Sequence, residues 1–155
     1  MMVRRLLLGA AAGAAGTTAL NAATYADMTW RGRPESETPK QTVETMAEKL
    51  EVTVPGDDST RANRLSALGA LSGIATGVGV GAAYGMLDVL HIRPGLAKGA
   101  LVAAGAALLA ANVPMAKLGI SDPTSWSAQD WASDIVPHLA YGLTVAATFR
   151  AATRG

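Results

Sequence analysis

The chain contains no cysteine. That absence excludes disulfides, thiolate nucleophiles, iron–sulfur ligation and cysteine-based zinc sites. Aromatic residues are scarce: one Phe, three Tyr and three Trp among 155 residues. Charged residues make up only 16% of the chain, and the formal net charge is +1. A nucleic-acid surface needs a basic face with interleaved aromatics, and none is present. Also missing are a Ser–His–Asp order, a phosphate loop and a dinucleotide fingerprint. The run Gly77-Val78-Gly79-Val80-Gly81 imitates a glycine-rich nucleotide loop. It lies in the middle of an apolar helical stretch, where it cannot open a strand-to-helix turn. Neither an enzymatic activity nor a cofactor is expected from these residues.

What the chain does hold is apolar mass, half of it hydrophobic, dominated by Ala, Leu, Gly and Val. Crossing the hydrocarbon core takes about 20 apolar residues. Four segments qualify, at residues 6–28, 64–90, 96–115 and 131–149. The first has features of a secretory signal peptide, with Arg4 and Arg5 before an apolar run. Its apolar stretch continues to Met28, past a signal core of about 7–15 residues, so it reads as an uncleaved span.

Five glycines in the second span stand four residues apart: Gly69, Gly73, Gly77, Gly81 and Gly85. Each costs a helix interior roughly 1 kcal/mol relative to alanine. In a bilayer the compensation is close backbone approach, because lipid-embedded helices associate through small residues. Similar rows recur as Gly95, Gly99, Ala103, Ala107 and Ala111 in the third span and as Ala11, Ala15, Ala19 and Ala23 in the first. These rows predict helix packing within one bundle. A pore built from several copies is the alternative.

The polar connection 29–63 carries its own helix, expected at about 39–50. Thr38 reads as N-cap, with Pro39 at the first helical position and Gln41 three residues on. Val43, Met46, Ala47 and Leu50 follow at helical spacing and predict one buried stripe. Ser127 and Asp130 form a capping box before the last helix, where Trp126 and Trp131 sit as interfacial aromatics. Four spans put both termini on one side. Basic residues are divided almost evenly between the two sides. The Arg pair before the first span and the acidic first connection favour cytoplasmic termini.

Charged groups at membrane depth are functional candidates by default. Asp134 and His138 are four residues apart on one helix face, with Pro137 between them and Tyr141 continuing the face. Asn21, Tyr25, Asp27, Arg61, Asn63, Arg64 and Asn112 belong to the same end of the bundle. They are expected to converge with the pair, Arg61 or Arg64 serving as counter-ion to Asp134. Asp88 and His91 form a second pair at the other end, about 30 Å of hydrocarbon away. Two ligands in each pair are too few for zinc, so no metal site is expected.

The stretch Val113-Pro114-Met115, Leu118-Gly119, Pro123 and Ser133-Asp134-Ile135-Val136-Pro137-His138 resembles the YagU-like family of bacterial inner-membrane proteins. The resemblance covers residues 108–150, and the Ala/Arg/Gly bias resembles that of actinobacterial membrane proteins. It implies a bacterial inner-membrane location and places Asp134 and His138 at the family's acid and histidine positions. It implies no activity. The expected protein is all-α, one polytopic membrane domain of four packed transmembrane helices with one short amphipathic helix outside the bilayer. Its expected role is structural or accessory. Its surroundings are the lipid bilayer and, through the small-residue rows, a second copy or another membrane protein. Proton- or ion-linked transport through Asp134 and His138 is the alternative.

Overall fold

The computed structural model describes residues 2–154. Among them the chain forms five α-helices and no strand: α1 (Met2–Arg31), α2 (Thr38–Lys49), α3 (Asp58–Val89), α4 (Leu96–Lys117) and α5 (Ala128–Thr153). A 3-10 turn, Pro123–Ser125, precedes α5. Three helices, α1, α3 and α4, are long and apolar enough to cross a membrane. Helix α5 is long enough at 26 residues, but Asp134, Pro137, His138 and Tyr141 make it less apolar than the other three.

Several boundaries differ from the sequence expectation. Helix α3 starts at Asp58, not near Arg64, because the Asp57 carboxylate accepts from the Thr60 backbone N–H at 2.8 Å and nucleates two further turns. Its 32 residues span about 48 Å, more than the hydrocarbon thickness. Thr38 is not an N-cap: the N-cap of α2 is Glu37, in helical geometry and without a side-chain cap. The α2 stripe is likewise corrected. Met46 is 47% exposed and Leu50, at the C-cap, is 68% exposed, whereas Val43 and Ala47 are half-buried. Helix α2 packs on the start of α3, with the Pro39–Lys40 backbone against Gly69 and Glu44 paired with Arg61. The capping box of α5 forms as expected, with Ser127 Oγ accepting from Asp130 N–H at 3.2 Å and Asp130 Oδ2 accepting from Ser127 N–H at 2.9 Å.

Helix α1 packs along both α3 and α5, and α5 packs along α4; α3 and α4 touch much less. The α1–α3 seam is backbone on backbone. A Cβ added to Gly13 would come within 3.0 Å of Gly81 Cα and closer to the Gly77 carbonyl. One added to Gly81 would strike Gly13 and the Gly9 carbonyl, and one on Gly85 the Arg5 carbonyl. The row of α1 that meets α3 thus runs through Gly9 and Gly13, not through Ala11, Ala15, Ala19 and Ala23. Ala11 is exposed and the other three alanines are half-buried. Alanine keeps a Cβ, and only glycine allows this approach.

The glycines of α3 do not share one partner. A four-residue step advances a helix by about 40° beyond a full turn, so the row winds around α3. Gly69 meets α2, Gly77, Gly81 and Gly85 meet α1, and Gly73 has no atom within 4 Å of its missing Cβ. In α4 the row holds: Gly99, Ala103 and Ala107 are buried. Gly95 is the exposed N-cap and Ala111 is half-buried. On α5, Gly142 lies against the Ala100 carbonyl and Ala104.

The remaining apolar surface faces outward. Only 17% of the apolar window of α3 and 22% of that of α4 is buried within the chain. Leu71, Leu101 and Leu109 are each about 60% exposed (59%, 63% and 64%). Three tryptophans, Trp30, Trp126 and Trp131, gather at the end of the bundle where α1 stops and α5 starts. Trp126 and Trp131 pack edge to face at 5.0 Å.

The seam predicts an asymmetry between two glycines of one row. Gly81→Leu is expected to destabilise the protein by about 1–3 kcal/mol through overpacking. Gly73→Ala is expected to leave stability unchanged or raise it by about 0.4–1 kcal/mol, because the site is helical and open. Thermal unfolding in detergent, read by circular dichroism, checks both.

Candidate functional site

Asp134 lies in the second turn of α5, and Asn112 lies near the end of α4, which runs alongside it. Asn112 Nδ2 donates to Asp134 Oδ2 at 2.7 Å. His138 follows one turn later, and its Nδ1 lies 2.7 Å from the Asp134 carbonyl oxygen. A carbonyl only accepts, so Nδ1 carries the proton and Nε2 of the neutral ring keeps its lone pair. The same Nδ1 is 3.4 Å from Asp134 Oδ1. Side-chain exposure is 11% for His138 and 20% for Asp134. The helix geometry that puts residues four apart on one face thus produces the expected pair.

The wider convergence does not form. Arg61 donates to Glu44 of α2 at 2.6 Å, and Arg64 to the Pro55 carbonyl at 2.6 Å. Neither reaches Asp134, because the early start of α3 places both in its first two turns, beside α2. Tyr25 is 55% exposed and Asn21 is half-buried; among the described residues neither side chain makes a hydrogen bond. Tyr141 is fully buried but belongs to a different contact. Its hydroxyl donates to the Gly77 carbonyl of α3 at 2.6 Å, across α1 at Gly16, where a Cβ would meet the Tyr141 ring and Val145.

The sequence places Asp27 and Asp88 at the two ends, but their arginine partners were not anticipated. At the Asp134 end, Asp27 takes Arg31 and Arg33 at 2.6 Å each, and Arg31 also donates to Ser133 Oγ at 2.5 Å. This ties the end of α1 to the start of α5. The four-residue spacing of Asp27 and Arg31 was the available signal. At the opposite end, Asp88 takes Arg5 at 2.9 Å and Arg93 at 2.6 Å. The expected pairing of Asp88 with His91 is absent. His91 instead terminates α3: with φ 61° it sits in the left-handed region and donates its backbone N–H to Asp88, while Ile92 N–H reaches Leu87. This is a Schellman stop, usually made by glycine, and it turns the imidazole away as an exposed residue.

Among the described residues no three metal-ligating side chains come together. No family model, curated protein or solved structure matches the chain. The chemistry available at the pair is that of one carboxylate, one amide and one imidazole, each already engaged with another.

Two expected outcomes test this reading of the contacts. Tyr141→Phe should cost about 0.5–1.5 kcal/mol, the net worth of one hydrogen bond. Tyr141→Ala should cost about 3–5 kcal/mol, as a large buried ring is lost. Denaturation of the two variants in one detergent compares them. A second outcome concerns pH. The Ser127 hydroxyl and then its backbone N–H hold the Asp130 carboxyl below its usual 3.8. A depressed carboxyl stabilises the fold fully above 3.8 and loses that contribution as pH falls through its lower folded value. Amide-exchange protection of the first turn of α5, corrected for intrinsic rates, should therefore hold down to about pH 4 and fall below it. In Asp130→Ala it should start lower and lose that step.

Proposed function

We propose that this is an integral membrane protein of the bacterial inner membrane with a structural or accessory role and no enzymatic activity. In this reading all four long helices cross the bilayer, α2 stays outside it, and the end bearing Arg5 and Arg150 is cytoplasmic. The resemblance to YagU-like proteins is part of the proposal. Helix α5 crosses despite its polar residues because Asp134, His138 and Tyr141 are satisfied by partners within the bundle, which lowers the cost of membrane depth.

One observation carries the structural reading. The small-residue surfaces and the deep polar groups are spent on contacts within the chain. Gly77, Gly81 and Gly85 are taken by α1, Tyr141 by Gly77, and Asp134 by Asn112 and His138. A bundle that satisfies itself in this way is built to hold a shape. The outward-facing leucines of α3 and α4 offer the remaining surface to lipid or to a second membrane protein.

Proton-linked transport is the second reading, and it has one specific support. In the neutral ring the Nε2 of His138 keeps a lone pair that can take up a proton, and its Nδ1 side faces the Asp134 carboxylate at 3.4 Å. A flux assay separates the two. Protein reconstituted in liposomes under a pH gradient is expected to leak protons no faster than protein-free liposomes. Asp134→Asn is expected to lower thermal stability without changing the leak. A gradient-driven flux that His138→Ala abolishes while the fold survives would replace the structural reading with transport.

A further inference from the structure

Where α1 starts and α3 and α5 end, a cleft of about 350 Å³ opens beneath the Ile92–Pro94 turn. Its rim carries four arginines, Arg5, Arg93, Arg150 and Arg154, against a single carboxylate, Asp88. Both oxygens of Asp88 are already taken, one by Arg5 and one by Arg93. Arg5 Nη1 is buried without a hydrogen-bond partner. Arg150 and Arg154 form no ion pair among the described residues. The carbonyl ends of α3 and α5 offset part of this charge, but each carries only about half an elementary charge. The cleft therefore holds more guanidinium than the other described residues neutralise.

Its floor is of opposite character. Tyr84 and Phe149 meet edge to face at 5.6 Å and line the cleft together with Leu87 and Ala146. A small anion would use the rim and leave this floor idle. A molecule with an anionic head and an apolar tail would use both. Guanidinium forks match phosphate oxygens two at a time.

From the rim, the floor and the buried Arg5 nitrogen, we infer that this cleft seats the phosphate headgroup of an anionic phospholipid, with an acyl chain running along the Tyr84–Phe149 floor. The inference rests on the membrane reading above, in which the cleft lies at the bilayer surface. Juxtamembrane basic residues draw anionic lipid in that setting. Bound lipid would join α1, α3 and α5 at the end where a short turn links α3 to α4.

The test is native mass spectrometry of the full chain released from nanodiscs that contain phosphatidylglycerol and phosphatidylcholine. The wild type is expected to retain phosphatidylglycerol selectively. Arg150→Gln/Arg154→Gln, which breaks no ion pair, is expected to lose that retention about tenfold while melting normally in pure phosphatidylcholine. The charge-matched Lys49→Gln/Lys117→Gln, at the opposite end, is expected to retain it. Equal loss in both double variants would reduce the effect to general surface charge and overturn the site. So would equal retention of phosphatidylcholine, or retained lipid in the arginine variant. Displacement of the lipid by inorganic phosphate alone would assign the cleft to a small anion instead. Should Arg150→Gln/Arg154→Gln fail to melt normally, Phe149→Leu, which trims the floor and keeps every charge, is expected to weaken retention of the lipid; unchanged retention would overturn the inference. Resistance of the wild type to carbonate extraction from membranes checks the membrane reading separately.

Discussion

The fold depends on how closely two backbones can approach. Helices α1 and α3 meet where Gly9 and Gly13 face Gly81 and Gly85 with no side chain between them, and one turn on Thr17 packs on Gly77. In water such a seam would be weak, because it buries little apolar side chain. In lipid the competing solvent is as apolar as leucine, and tight van der Waals contact becomes the main attraction between helices. At the seam glycines that contact offsets the loss of helix propensity. The α1–α3 seam then creates the platform for α5. Tyr141 crosses Gly16 of α1 to reach the Gly77 carbonyl, so one hydroxyl joins α5 to α1 and α3. Helix α4 is held mainly by α5, through Gly142 against Ala100 and Ala104.

Polarity is organised at the two ends of this apolar frame. At one end Asp27, Arg31, Arg33 and Ser133 link α1 to α5, and Asn112, Asp134 and His138 link α4 to α5. At the other end Arg5, Asp88 and Arg93 link α1 to the turn after α3. Each of these groups sits within a few turns of a helix end, where charge costs less than at mid-bilayer. Polar side chains toward the middle of the bundle include uncharged ones bonded to backbone, such as Thr17 on the Gly13 carbonyl and Tyr141 on the Gly77 carbonyl.

The helical class, the apolar segments and the α5 capping box were legible in the sequence because each rests on local chemistry. The pair Asp134–His138 was legible for the same reason, as four-residue spacing fixes it. Its partner Asn112 was among the expected residues, but Arg61 and Arg64 were misassigned. Their placement depended on where α3 begins, and Asp57, a cap outside the apolar run, decides that. The α1 seam was misread as an alanine row because spacing alone does not distinguish a residue with a Cβ from one without. His91 was read as a polar partner for Asp88, yet its backbone conformation makes it a helix stop. Neither the drift of the glycine row past Gly73 nor the ion cluster around Asp27 could be placed without the relative rotation of the helices.

The central claim is the glycine-to-glycine seam in a bilayer. Proton-detected solid-state NMR of the chain in lipid reads it most directly, through Hα–Hα contacts between α1 and α3. The account predicts cross-peaks between Gly13 and Gly81 and between Gly9 and Gly85, with none from Gly73 to α1. Cross-peaks from Gly13 and Gly81 to lipid acyl chains, in place of cross-peaks to each other, would contradict it.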